Sequence, residues 1–139
     1  IGITGQTGFV GSHLYHTLGL YPGQYRRIPF QDDYFQDESR LRAYVKQCDV
    51  IVHLAAMNRH PDPEVLYQTN LRLVRQLIEA MEKEQASIIN AMSAFDYHSK
   101  SVEDIKADKL RLEELEKSIA DGWTRWEALS EKESLSTGK

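Results

Sequence analysis

The sequence predicts an α/β fold: a parallel sheet flanked by helices, followed by a long C-terminal amphipathic helix. Three features carry that expectation. A short apolar stub, Ile1-Gly2-Ile3-Thr4, runs directly into a glycine turn that opens a helix. A continuous apolar run, Asp49-Val50-Ile51-Val52-His53-Leu54-Ala55-Ala56, has the β-branched content of a strand buried on both faces. Two later stretches repeat apolar residues at helical spacing.

Taken in order, Ile1–Thr4 is the first strand. The helix after the glycines, residues 10–20, places Val10, Leu14 and Leu18 four apart, and Gly19, Pro22 and Gly23 end it. Tyr25–Phe30 reads as a second strand, with Pro29 suiting its end or an edge. Asp37, ahead of Leu41, Tyr44 and Val45, is the N-cap expected of a short helix. After the strand at 49–56, Pro61 and Pro63 open a helix over residues 64–83 with Leu66, Leu73, Leu77 and Met81 on one side. Ser87-Ile88-Ile89 is expected to be the next strand, making four or five parallel strands in all. Beyond Asn90 the composition turns to Glu, Lys, Leu and Asp, and Ile105, Leu112, Ile119 and Trp126 recur every seven residues. Residues 102–129 are therefore expected to be one long amphipathic helix, weakened at Gly122, with residues 130–139 as a frayed polar tail. The division expected is an α/β domain over 1–90 and a helical segment over 91–139.

At 139 residues and 16.0 kDa the chain is one domain's worth of sequence. A net charge of −4 lacks the basic face that a nucleic-acid backbone requires. No apolar run is long enough to span a membrane, and the single cysteine, Cys48, forms no intrachain disulfide. These features point to a cytoplasmic setting with neither nucleic acid nor membrane as partner. His13 and His16 lie three apart on a helix but have no carboxylate or thiolate at ligand spacing, so no metal site is expected.

The chemistry-bearing motif is Thr4-Gly5-Gln6-Thr7-Gly8-Phe9-Val10-Gly11. Between a strand and a helix, Gly5 permits the tight turn, Gly8 lets the backbone approach a diphosphate, and Gly11 lets the helix pack close to the strand. The helix start offers free N–H groups and a partial positive charge to the anion. An acid about twenty residues on would bind the adenosine ribose hydroxyls, and Asp32 and Asp33 lie there. Arg26 and Arg27 precede that point, with no arginine directly after Phe30 to take a 2′-phosphate. The cofactor expected is therefore NAD or NADP, with NAD favoured.

The glycine motif, the run Asp49–Ala56 and Thr69-Asn70 together resemble the extended short-chain dehydrogenase/reductases, which include NAD-dependent epimerases and dehydratases of nucleotide sugars. The stretch His53-Leu-Ala-Ala-Met-Asn-Arg-His60 is most similar to the capsular-polysaccharide nucleotide-sugar reductases among them. The resemblance runs from Ile1 to Ile89. It implies a Rossmann-like half with strand order 3-2-1-4-5, Phe9 and Val10 along the diphosphate, Leu54, Ala55 and Ala56 along the nicotinamide ribose, and a nucleotide-sugar substrate. It also implies a homodimer through the helices at 64–83 and 102–129.

The family's chemistry uses a serine, then Tyr-x-x-x-Lys one helical turn apart, the tyrosine moving the hydroxyl proton and the lysine lowering its pKa. The candidates are Ser93, Tyr97 and Lys100, but the lysine comes one residue early and the serine only four residues before the tyrosine. Nothing after Lys100 resembles the family's substrate-binding segments. The chain therefore reads as a cofactor-binding half joined to a different helical segment, whether by fusion, truncation or divergence; turnover at family-like rates is not expected, and the alternative is a non-catalytic cofactor-binding or dimerising scaffold.

Overall fold

The computed structural model describes residues 1–137. Its order is β1 (Gly2–Thr4), α1 (Phe9–Gly19), a 3-10 turn (Asp32–Gln36), α2 (Glu38–Gln47), β2 (Ile51–His53), α3 (Pro63–Met92), a second 3-10 turn (Tyr97–Ser99) and α4 (Val102–Thr137). β1 and β2 pair in parallel, Gly2 with Ile51, Ile3 with Val52 and Thr4 with His53. Ile28 joins the other side of β1 through one parallel bridge to Gly2. The first strand is thus central, flanked by the segment at 28 and by β2.

Fewer strands form than the sequence predicts. The second, at 25–30, is reduced to the bridge at Ile28, because Pro29 has no N–H to extend the ladder. Only Ile51–His53 of the 49–56 run is strand, and those residues are half-buried because, among the described residues, no further strand pairs with the outer edge. Ser87-Ile88-Ile89 is not a strand at all; it lies in the last turns of α3, which runs unbroken to Met92. Lys83-Glu84-Gln85-Ala86 are strong helix formers and neither glycine nor proline interrupts them, so helix propagation overrides two β-branched residues.

Helix starts follow local chemistry. Asp37 caps α2, its carboxylate accepting from the N–H of Ser39 and Arg40, and Asp62 caps α3 by accepting from Glu64 N–H, with Pro63 in the first turn. The core lies between the sheet edge, α2, α3 and α4. Phe30, Tyr44 and Val45 meet Leu77, Ile78 and Met81, and Leu115 of α4 joins them; each such side chain contributes about 1.5–3 kcal/mol by burial. The boundary expected at Asn90 therefore falls inside α3, and both sides of it share one core.

The stripe on α4 is spent within the chain. Leu115 is buried, and Ile119, Trp126 and Leu129 pack against the same cluster. The sequence predicts pairing of 64–83 with 102–129 between chains; here α3 and α4 pack against each other in one chain. Gly122, expected to weaken the helix, instead lets it approach α3, since a Cβ there would lie 2.8 Å from Ile78 Cγ1. Arg111 locks the other end by donating to the carbonyls of Cys48 (2.6 Å) and Val45 (2.8 Å) at the C-terminus of α2. Of the tail expected to fray, α4 extends to Thr137, and Gly138 and Lys139 lie outside the described residues. Among the described residues, no helix is long and apolar enough to cross a membrane.

Candidate functional site: a dinucleotide groove

The glycine turn forms because Gly5 takes φ +70°, a conformation costly for any side chain, directly against β2's continuation: a Cβ there would lie 2.8 Å from Ala55 N. The turn closes by Gly8 N–H donating to Gly5 carbonyl at 3.0 Å. Gly11 is buried, and a Cβ on it would collide with the Gly5 carbonyl oxygen. Gly8 is the N-cap of α1 and has no side chain to cap it, so the N–H groups of the first turn face outward.

A groove of about 610 Å³ runs from this turn across the ends of the strands. Of the residues expected to hold a cofactor, Gly5, Gly8, Asp32, Leu54, Ala55 and Ala56 line it. Phe9 and Val10 do not; their side chains are exposed on α1, 81% and 59%, and only their backbone sits at the turn. Gly11 acts beneath the turn rather than on the groove. The sequence reading did not single out Gln36, Arg72 and Gln76, which also line the groove. Their positions come from the 3-10 turn and α3, contacts over more than thirty residues of chain that no local pattern signals.

Polar bonds fix the groove's shape. Thr7 hydroxyl donates to Asp32 Oδ2 at 3.4 Å and Gln6 Oε1 accepts from Phe30 N–H at 3.0 Å, tying the turn to the end of the 25–30 segment. Of the two candidate acids, Asp33 is engaged by Arg40 at 2.9 Å, leaving Asp32 on the groove. Arg27 lies on the Tyr15 ring at 4.3 Å and donates to Tyr15 carbonyl, away from the groove. On the far wall, Asn70 holds Met57 from both sides, accepting from its N–H at 2.7 Å and donating to its carbonyl at 3.0 Å. Thr4 Oγ1 accepts from the N–H groups of Leu54 and Ala55, each at 3.2 Å, and lies 2.6 Å from His53 Nδ1. With those N–H groups on its lone pairs, the hydroxyl gives its single proton to Nδ1, so the neutral ring carries its proton on Nε2. Burial, with the Arg125 charge adding to it, holds the His53 imidazole down at about 4.

Ser93, Tyr97 and Lys100 lie elsewhere. Ser93 ends α3 and donates to Ile89 carbonyl at 3.0 Å. Tyr97 is buried on the second 3-10 turn, where its hydroxyl donates to Asp108 Oδ2 at 3.1 Å. Lys100 Nζ reaches the same oxygen at 3.3 Å and stands 5.0 Å from the Tyr97 ring centre. Burial pushes the Tyr97 phenol up and the Asp108 carboxylate adds to it, the opposite of what an acid–base tyrosine needs. None of the three lines the groove.

A sequence model of the NAD-dependent epimerase/dehydratase family matches residues 1–115. The chain belongs to that family. The match passes Ile89, where the resemblance in the motifs stops, and takes in Leu115, the α4 residue that completes the core. It carries with it a nicotinamide dinucleotide as cofactor and a Rossmann-type origin for the glycine turn. No curated protein and no solved structure matches the chain.

Proposed function

We propose that this epimerase/dehydratase-family chain is a cofactor-binding module that holds NAD in the groove over the glycine turn. The observation that carries the reading is Asp32: a carboxylate on the groove opposite the turn that, among the described residues, is bonded to Thr7 alone. There it would accept from both adenosine ribose hydroxyls and repel a 2′-phosphate. The residues fit the group chemically. Gly8 leaves space above the turn, with a Cβ only 3.3 Å from Gly5 carbonyl, and the first-turn N–H groups of α1 would take the diphosphate. Thr4 and Asn70 hold the Leu54–Met57 wall where the nicotinamide ribose would lie.

When bound, the nicotinamide supplies a hydride donor or acceptor. The chain's own contribution is to bind and orient it. Hydride transfer to a nucleotide sugar needs a proton donor at the groove, and the Tyr97–Lys100–Asp108 cluster instead staples the α3–α4 loop to α4. Fluorescence titration with NADH and NADPH tests the reading. NADH should bind more tightly, and Asp32→Asn should narrow the gap by about tenfold, the effect of about 1.4 kcal/mol. Tighter binding of NADPH by the wild-type chain would overturn the NAD assignment.

A further inference from the structure

Thr69, Arg72, Leu73 and Gln76 of α3 line the dinucleotide groove, a spacing that puts all four on one face of the helix. Both ends of that face are pinned. Gln76 Nε2 donates to the Phe35 carbonyl at 2.8 Å, which sets one end beside the 3-10 turn that carries Asp32. Asn70, next to Thr69, holds the N–H and the carbonyl of Met57, which sets the other end beside the Leu54–Met57 wall. Arg72 stands between them, about 6 Å along the axis from Gln76 and about 4.5 Å from Thr69. The glycine turn spans the same two ends: Thr7 donates to Asp32 at 3.4 Å, and Gly5 lies against Ala55, where a Cβ would come 2.8 Å from the backbone nitrogen. Arg72 and the turn therefore share the middle of the groove.

Among the described residues, Asp32 and Arg72 are the groove's two charged groups, and the Arg72 guanidinium has no hydrogen bond or ion pair. Arg75, three residues further along α3, is by contrast paired with Glu79 at 2.9 Å. The fold thus engages one arginine of this helix and leaves the other on the lining of the groove. A dinucleotide carries its negative charge on the diphosphate that joins its two ribosyl groups, and the start of α1 offers it only about half of one positive charge. With the adenosine ribose at Asp32 and the nicotinamide ribose along Leu54–Ala56, the diphosphate crosses the middle of the groove. A guanidinium is suited to that place, because its planar fork donates to two phosphate oxygens at once.

We propose that Arg72 is a phosphate-binding residue of this groove, closing on the diphosphate from α3 while the first-turn N–H groups of α1 hold it from the turn. The assignment rests on the reading of the groove as a dinucleotide site. Fluorescence titration of NADH against wild type, Arg72→Ala, Arg72→Lys and Arg75→Ala, at low and at higher sodium chloride, tests it. At low salt Arg72→Ala should bind NADH about tenfold more weakly, Arg72→Lys should lose less, and Arg75→Ala should match wild type. Added salt should narrow the gap between wild type and Arg72→Ala, since the variant lacks the charge that salt screens. A variant that merely disturbed α3 would show the same gap at both salts. Wild-type affinity in Arg72→Ala, an equal loss in Arg75→Ala, or a gap that salt leaves unchanged would each overturn the proposal. NADPH carries the same diphosphate, so the same comparison with it separates the two readings. Tighter binding of NADPH overturns the NAD assignment at Asp32 and leaves the Arg72 effect in place, whereas no saturable binding of either cofactor overturns both.

Discussion

His53 shows how one side chain links sheet, stability and solvent. Its imidazole, ordinarily near 6.5, is held at about 4 by burial and Arg125. Between those values the unfolded chain takes up a proton that the folded chain refuses. The stability it carries is therefore complete above about pH 6.5, falls as pH drops towards 4, and levels off below, a change of about 3 kcal/mol. Urea denaturation at pH 7 and pH 4.5 should show that loss in the wild-type chain and a much smaller one in His53→Gln; equal losses would contradict it. Tyr97 offers a second residue-scale test. Tyr97→Phe removes a bond to Asp108 and should cost about 1 kcal/mol of stability without changing NADH affinity. A change in affinity with unchanged stability would return Tyr97 to the groove. The glycine turn and the pair of acids at 32 and 33 were legible in the sequence because both depend on local spacing. The pairing of Asp33 with Arg40, which leaves Asp32 on the groove, was not, since adjacent acids are equivalent until a partner is placed beside one of them.

At the scale of elements, local signals set the helix starts and long-range contacts set everything else. Asp37 and Pro63 mark α2 and α3 through chemistry confined to one turn. The strand expected at 87–89 failed because short apolar runs do not distinguish strand from buried helix; Ile88 packs on the core from α3. Arg111 carried no signal and Gly122 read only as a weak point in the helix, as their partners lie far back in the chain. Both are testable. Arg111→Ala deletes two charge-assisted bonds to the end of α2 and should cost about 2 kcal/mol in urea denaturation. Gly122→Leu drives a side chain into Ile78 and should loosen α4 from α3, read as faster hydrogen exchange along both helices. Unchanged exchange would show that the close approach is not needed.

For the molecule as a whole, the sheet is small and the helices are long, so α4 supplies cover that further strands would give in a larger α/β domain. The residues that suggested a dimer are consumed in this role. Light scattering at micromolar concentration should accordingly give a 16.0 kDa particle, and a dimer dissociated by Leu115→Asp with the fold intact would contradict the intrachain packing. The central claim is that the glycine turn holds a dinucleotide diphosphate, and it turns on Gly8. That residue has ordinary extended angles, φ −71° and ψ 171°, so a side chain is tolerated by the backbone but projects over the turn. The most direct measurement is NADH fluorescence titrated against the wild-type chain and Gly8→Val, with circular dichroism of both. Saturable binding by wild type, lost in a Gly8→Val chain of unchanged helicity, is the predicted result; no saturable binding at millimolar NADH, or equal binding by both chains, would contradict it.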